Sequence, residues 1–199
     1  MRREVEMIAV ELSKPDFEYD IRGMIREFYP KEEVRIYYRD DEASINEVCE
    51  EDNSGKVKFQ LFICYEDNRI TCLCKEDGKE IKLETAIDQQ DRKETKKQLK
   101  RMLYRHLVEQ TGQLQLWGTL TGIRPVKIVL SKLQHGESIE QARKCLIEDY
   151  YVAESKVELC LEIAAYEQQL LTKTAGENGY SLYIHIPFCP STCLYCSFT

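Results

Sequence analysis

The residues best suited to chemistry lie near the carboxyl end, in Cys189-Pro190-Ser191-Thr192-Cys193-Leu194-Tyr195-Cys196. Three thiols separated by three and then two residues can converge on one metal centre from a single short loop, without long-range folding to assemble them. The spacing leaves two centres open. Soft thiolates suit an iron–sulfur cluster, which can keep one iron free of protein. They equally suit a tetrahedral zinc, for which His185 or a distant cysteine would supply the fourth ligand. Just before the loop, residues 181–186 read as a strand, and strand alternation would put Tyr183 and His185 on one face.

The longer string Ser-Leu-Tyr-Ile-His-Ile-Pro-Phe-Cys-Pro-Ser-Thr-Cys-Leu-Tyr-Cys-Ser-Phe, residues 181–198, resembles the cluster motif of radical S-adenosylmethionine enzymes of the oxygen-independent coproporphyrinogen oxidase group. The resemblance implies that Cys189, Cys193 and Cys196 hold a 4Fe-4S cluster whose fourth iron binds S-adenosylmethionine. It further implies that Tyr195 packs on the adenine, and that Tyr183 and His185 lie beside the S-adenosylmethionine and the cluster. The activity implied is oxidative decarboxylation of propionate side chains to vinyl groups in anaerobic heme synthesis. That activity brings a porphyrinogen or heme-type small molecule and a reductant such as flavodoxin or ferredoxin as partners. One position departs from the pattern. Phe198 stands where the decarboxylases of this group carry a further cysteine, and this favours the alternative of a HemW-like heme-binding or heme-delivery protein. A zinc-stabilised interaction module, with His185 as fourth ligand, is the remaining reading.

At 199 residues and 43% hydrophobic the chain is long enough for one or two compact units with their own cores. A net charge of -7 and a pI near 5.2 argue against nucleic-acid binding, which calls for a basic surface. There is neither an apolar run of the about 20 residues that a membrane span requires nor a signal-peptide-like amino terminus, so the expectation is a cytoplasmic protein. Nine cysteines in no small-scaffold pattern read as free thiols plus a metal site rather than as disulfides.

The elements that lead up to the loop form an α+β chain. Residues 7–12 and 34–38 read as strands and 16–29 as a helix with Phe17, Ile21, Met24, Ile25 and Phe28 on one face. Residues 40–55 read as an acidic loop. Alternation over 57–65 and 70–74 predicts a hairpin, whose Cys72 and Cys74, near Cys64, read first as ordinary core thiols and only secondarily as a metal site. From about residue 86 the period becomes helical. A helix over 89–110 carries Leu99, Met102, Leu103, His106 and Leu107 on one stripe and Lys93, Lys96, Lys97, Lys100, Arg101 and Arg105 on what reads as a solvated face.

The second notable stretch is Leu-Trp-Gly-Thr-Leu-Thr-Gly-Ile-Arg-Pro, residues 116–125. It reads as a packing corner around Trp117, with Arg124 and Lys127 placed to bind an anion at a helix start; it too resembles the amino-terminal region of the same family. Ser138 with Gln141, and Ser155 with Glu158, read as capping boxes opening helices to about residues 148 and 172. Residues 175–179 read as a hinge. The division expected is therefore an α+β unit over 1–85, a helical connector over 86–175, and, over 176–199, the first strand and cluster loop of a truncated radical-SAM (β/α) barrel. Such a barrel needs about 200 residues, so the chain alone is expected to be inactive.

Overall fold

The computed structural model describes residues 6–38, 57–88, 90–122, 124–174, 182–184 and 189. In chain order the elements are β1 (Met7–Leu12), α1 (Glu18–Phe28), β2 (Glu33–Tyr38), β3 (Val57–Tyr65), β4 (Arg69–Glu76) and β5 (Lys79–Ala86). The helices α2 (Arg92–Thr111), α3 (Val126–Gln134), α4 (Ile139–Glu148) and α5 (Glu154–Thr174) follow. The acidic stretch 40–55 and the hinge 175–179 lie outside the described residues.

The strands make one sheet in the order β2-β1-β3-β4-β5. β1 runs parallel to both neighbours, and β3, β4 and β5 form an antiparallel meander. The register sets Ile8, Val10 and Leu12 beside Val34, Ile36 and Tyr38 on one flank and beside Phe59, Leu61 and Ile63 on the other. It continues through Cys74, Cys72 and Ile70 on β4. Because side chains alternate along a strand, these positions share one apolar face. α1 covers that face with Ile21, Met24, Ile25 and Phe28, and α2 with Leu99, Met102, Leu103 and Leu107. Each such fully buried side chain contributes about 1.5–3 kcal/mol.

α2 is thus part of the sheet's core, and the change in packing falls beyond residue 111 rather than at the change of period near residue 86. A second core joins α3, α4 and α5 through Val126, Val129, Ala142, Leu146, Val157 and Ala164. Of the basic side of α2, read from sequence as solvated, Lys93 and Arg105 are exposed, Lys96 pairs with Asp20 of α1 at 2.8 Å, and Lys97, Lys100 and Arg101 meet the chain beyond α2 instead. Lys97 pairs with Glu94 at 2.7 Å and lies 3.8 Å from Asp149. Arg101 reaches the Tyr151 hydroxyl at 3.2 Å and lies over its ring. Lys100 is only 8% exposed and donates to Thr121 Oγ1 at 2.8 Å.

The helix ends have local causes. Asp91 caps α2, its Oδ1 accepting from the N–H groups of Lys93 and Glu94 at 3.0 and 2.9 Å. The box at Ser138 and Gln141 opens α4. Ser155 and Glu158 form no such box: α5 begins at Glu154 with the Ala153 carbonyl accepting from Lys156 and Val157, which places Ser155 inside the first turn, and Glu158 pairs with Arg143 across to α4. Among the described residues, no helix is long and apolar enough to cross a membrane.

Candidate functional site

Of the residues singled out for the metal loop, Cys189 is exposed, and Tyr183 is 84% exposed between Leu182 and Ile184, which are 76% and 75% exposed. Residues 182–184 are not assigned to a strand. His185, Cys193, Tyr195 and Cys196 lie outside the described residues. Within the described residues no group of three or more His, Cys, Asp or Glu side chains could hold a metal.

That result settles the secondary reading of the hairpin thiols. Cys64 pairs with Thr71, whereas Cys72 pairs with Ile63 and Cys74 with Leu61, so Cys64 points to the opposite face of the sheet. Burial drives the Cys72 thiol far above its ordinary range, with Cys74 adding to the effect, and burial with Glu76 pushes Cys74 up to about 12. A metal ligand or nucleophile must be a thiolate. These two are protonated core residues.

The second stretch is built as a corner. Gly118 takes the left-handed φ of 57°, Leu120 N–H bonds back to the Trp117 carbonyl at 3.0 Å, and Thr119 N–H donates to the Tyr150 carbonyl at 2.8 Å. Lys156 lies 5.4 Å from the centre of the Trp117 ring. Thr121 then accepts from Lys100, which also lies 3.7 Å from Asp20 on α1. Burial lowers the Lys100 pKa while the Asp20 carboxylate pulls it back up. The corner therefore ties α1 and α2 to the helical unit. Sequence marked the turn residues but gave no sign that Lys100 and Asp20 would lock it.

From this corner Arg124 and Lys127 emerge exposed at the start of α3, Arg124 lying 3.4 Å from Glu167 on α5. His106, on the apolar stripe of α2, is 4% exposed. Its Nε2 has no hydrogen-bond partner among the described residues, and burial lowers its pKa against the opposing pull of Glu109 and Glu76. It is a neutral, buried imidazole.

Comparison with known proteins points to a class first: the chain is similar to an oxygen-independent coproporphyrinogen-III oxidase-like protein. That relative is HemZ of Bacillus subtilis (strain 168), 44% identical over a 113-residue alignment, with 53% of this chain and 22% of HemZ covered. The match thus spans about a fifth of the relative. No family model matches the chain. Among solved structures, the crystal structure of protein VC0702 from Vibrio cholerae covers 85% of this chain and 98% of that one at 10% identity. Its TM-score of 0.26 is too low to relate the two folds.

Proposed function

We propose that this chain belongs to an oxygen-independent coproporphyrinogen oxidase-like radical S-adenosylmethionine protein, in which Cys189, Cys193 and Cys196 hold a 4Fe-4S cluster. The identity to HemZ, taken together with the cysteine spacing, carries this reading. The donor set fits the group: three thiolates serve three irons and leave the fourth for the amino and carboxylate groups of S-adenosylmethionine. Cys189, exposed, is accessible to incoming iron. When bound, the cluster supplies the electron for reductive cleavage of S-adenosylmethionine. The chain's own residues ligate and orient: the three cysteines give up their protons on binding, Tyr195 packs on the adenine, and Tyr183 and His185 flank the cofactor. On the same reading residues 176–199 open a (β/α) barrel, the substrate is a porphyrinogen with propionate side chains, and the reductant is a flavodoxin or ferredoxin type of protein.

Phe198 favours a second reading, a HemW-like protein that binds and delivers heme. Anaerobic reconstitution with iron and sulfide tests the cluster. We expect close to four irons and four sulfides per chain, lost when all three cysteines become serine, and a spectroscopic change on adding S-adenosylmethionine. Zinc bound without iron or sulfide overturns the cluster in favour of a zinc-stabilised module. Heme titration of the reconstituted protein separates the two cluster readings, since saturable heme binding supports delivery.

A further inference from the structure

A cleft of about 860 Å³ between α2 and α3 has no part in the reading above. It gathers Lys93, Lys97, Arg124, Lys127, Lys132 and His135. In a chain with a net charge of -7, the five lysine and arginine side chains among these run against the molecule's general field.

The carboxylates that also line the cleft are already committed. Asp91 caps α2, Glu94 holds Lys97 at 2.7 Å, and Glu137 holds Lys132 at 2.8 Å. Asp149 is shared between Lys97 at 3.8 Å and Arg101 at 3.6 Å. Lys93 and Lys127 are exposed and have no ion-pair partner among the described residues, and Arg124 makes only the long contact to Glu167. His135 donates Nδ1–H to the Ser131 carbonyl at 2.6 Å, which leaves Nε2 for another contact. These cations also sit at a cost to the fold. α3 has no side-chain cap and no acidic residue in its first turn, and positive charge there opposes the helix dipole. An anion in the cleft would remove that opposition and satisfy the three cations at once.

We propose that this cleft binds a small molecule carrying two or more anionic groups, phosphate or carboxylate, with Arg124, Lys127 and Lys93 as its principal contacts. Arg124 offers the planar fork that grips either group in a bidentate manner, while the two lysines act as point charges. Neither the cluster nor S-adenosylmethionine is needed, so the proposal stands or falls independently of the cysteine loop.

The test is calorimetric titration of the cluster-free full chain with inorganic tripolyphosphate and, separately, with citrate, at low ionic strength. The expected result is saturable one-site binding of at least one of them. Affinity should fall by about tenfold or more in Arg124→Ala/Lys127→Ala, equivalent to a loss of one or more charge-assisted contacts. Lys93→Ala should weaken it by a smaller factor. A control of equal charge change outside the cleft, Lys31→Ala/Lys79→Ala, should leave it within about twofold, since solvent and salt screen distant surface charges. All these positions are exposed, and circular dichroism verifies that the variants fold. Binding of tripolyphosphate alone assigns the site to phosphates, and of citrate alone to carboxylates. Binding of neither, or equal weakening in the control variant, overturns the proposal.

Discussion

Replacing Gly118 by alanine probes the corner that joins the two cores. An added Cβ would fall well inside contact distance of the Tyr150 carbonyl oxygen and 2.5 Å from both the carbonyl carbon and oxygen of Tyr151. These are backbone atoms and cannot swing away. Tyr150 O is also the acceptor for Thr119 N–H at 2.8 Å and Thr119 Oγ1 at 3.3 Å, so relieving the overlap means breaking those bonds. The left-handed backbone at φ 57° costs a non-glycine residue about 1–2 kcal/mol, and the two hydrogen bonds contribute about 1 kcal/mol each. The expected loss is therefore roughly 3–4 kcal/mol. Gly112→Ala is the matched comparison, because Gly112 has φ 67° with nothing within 4 Å of an added Cβ, and only the backbone strain of about 1–2 kcal/mol applies. Urea denaturation followed by far-ultraviolet circular dichroism gives both values. If Gly118→Ala proves no more destabilising than Gly112→Ala, the close approach at the corner is not what holds the units together.

Asp91→Ala should remove the α2 cap and lower stability by about 1 kcal/mol, seen as a lower urea midpoint with unchanged slope. His106 makes stability depend on pH with a defined sign. The folded chain holds the imidazole neutral below its ordinary range, chiefly through burial, whereas the unfolded chain protonates it near pH 6.5. As pH falls below that value the unfolded state binds more protons, so stability drops by up to about 1.4 kcal/mol per pH unit until the lowered folded pKa is reached. His106→Leu should flatten this limb, measured as denaturation midpoints at about pH 8 and about pH 5; an unchanged slope refutes the assignment. Cys72 and Cys74 should resist a thiol reagent in the native protein and react on unfolding, while exposed Cys189 labels at once; rapid native labelling of all three would contradict the burial described.

The sheet was legible where one face is buried and the other is not. β3 alternates Phe59, Leu61, Ile63 and Tyr65 inward, and that period is visible in the letters. β5 is not, because Lys79, Glu80, Lys82 and Glu84 crowd a strand whose position at the sheet's edge needs few apolar residues and gains from charge that discourages further pairing. The apolar stripe of α2 was readable, but its basic face was readable only in part: Lys93 and Arg105 are exposed, whereas Lys100 is not. Whether a lysine is solvated depends on what the rest of the chain brings opposite it, and Lys100 meets Thr121 and Asp20. Likewise the period of the hairpin was evident, yet only the register shows that Cys64 faces away from Cys72 and Cys74. For the site, the cysteine spacing suggests a metal centre without any tertiary information, whereas of the cationic cleft only Arg124 and Lys127 were legible, as a pair at a helix start, because Lys93 comes to it from a separate helix.

The place of β1 in the sheet bears on how the molecule reaches its native state. β3, β4 and β5 are joined by short turns at residues 66–68 and 77–78, so their pairing closes small loops and forms early. β1 pairs in parallel on both flanks, with β2 only after α1 has been traversed and with β3 only after residues 39–56 have been spanned, and each of these closures costs chain entropy before any contact rewards it. The meander is thus expected to form first and β1 to dock late, so that truncating Ile8, Val10 or Leu12 should mainly speed unfolding rather than slow folding.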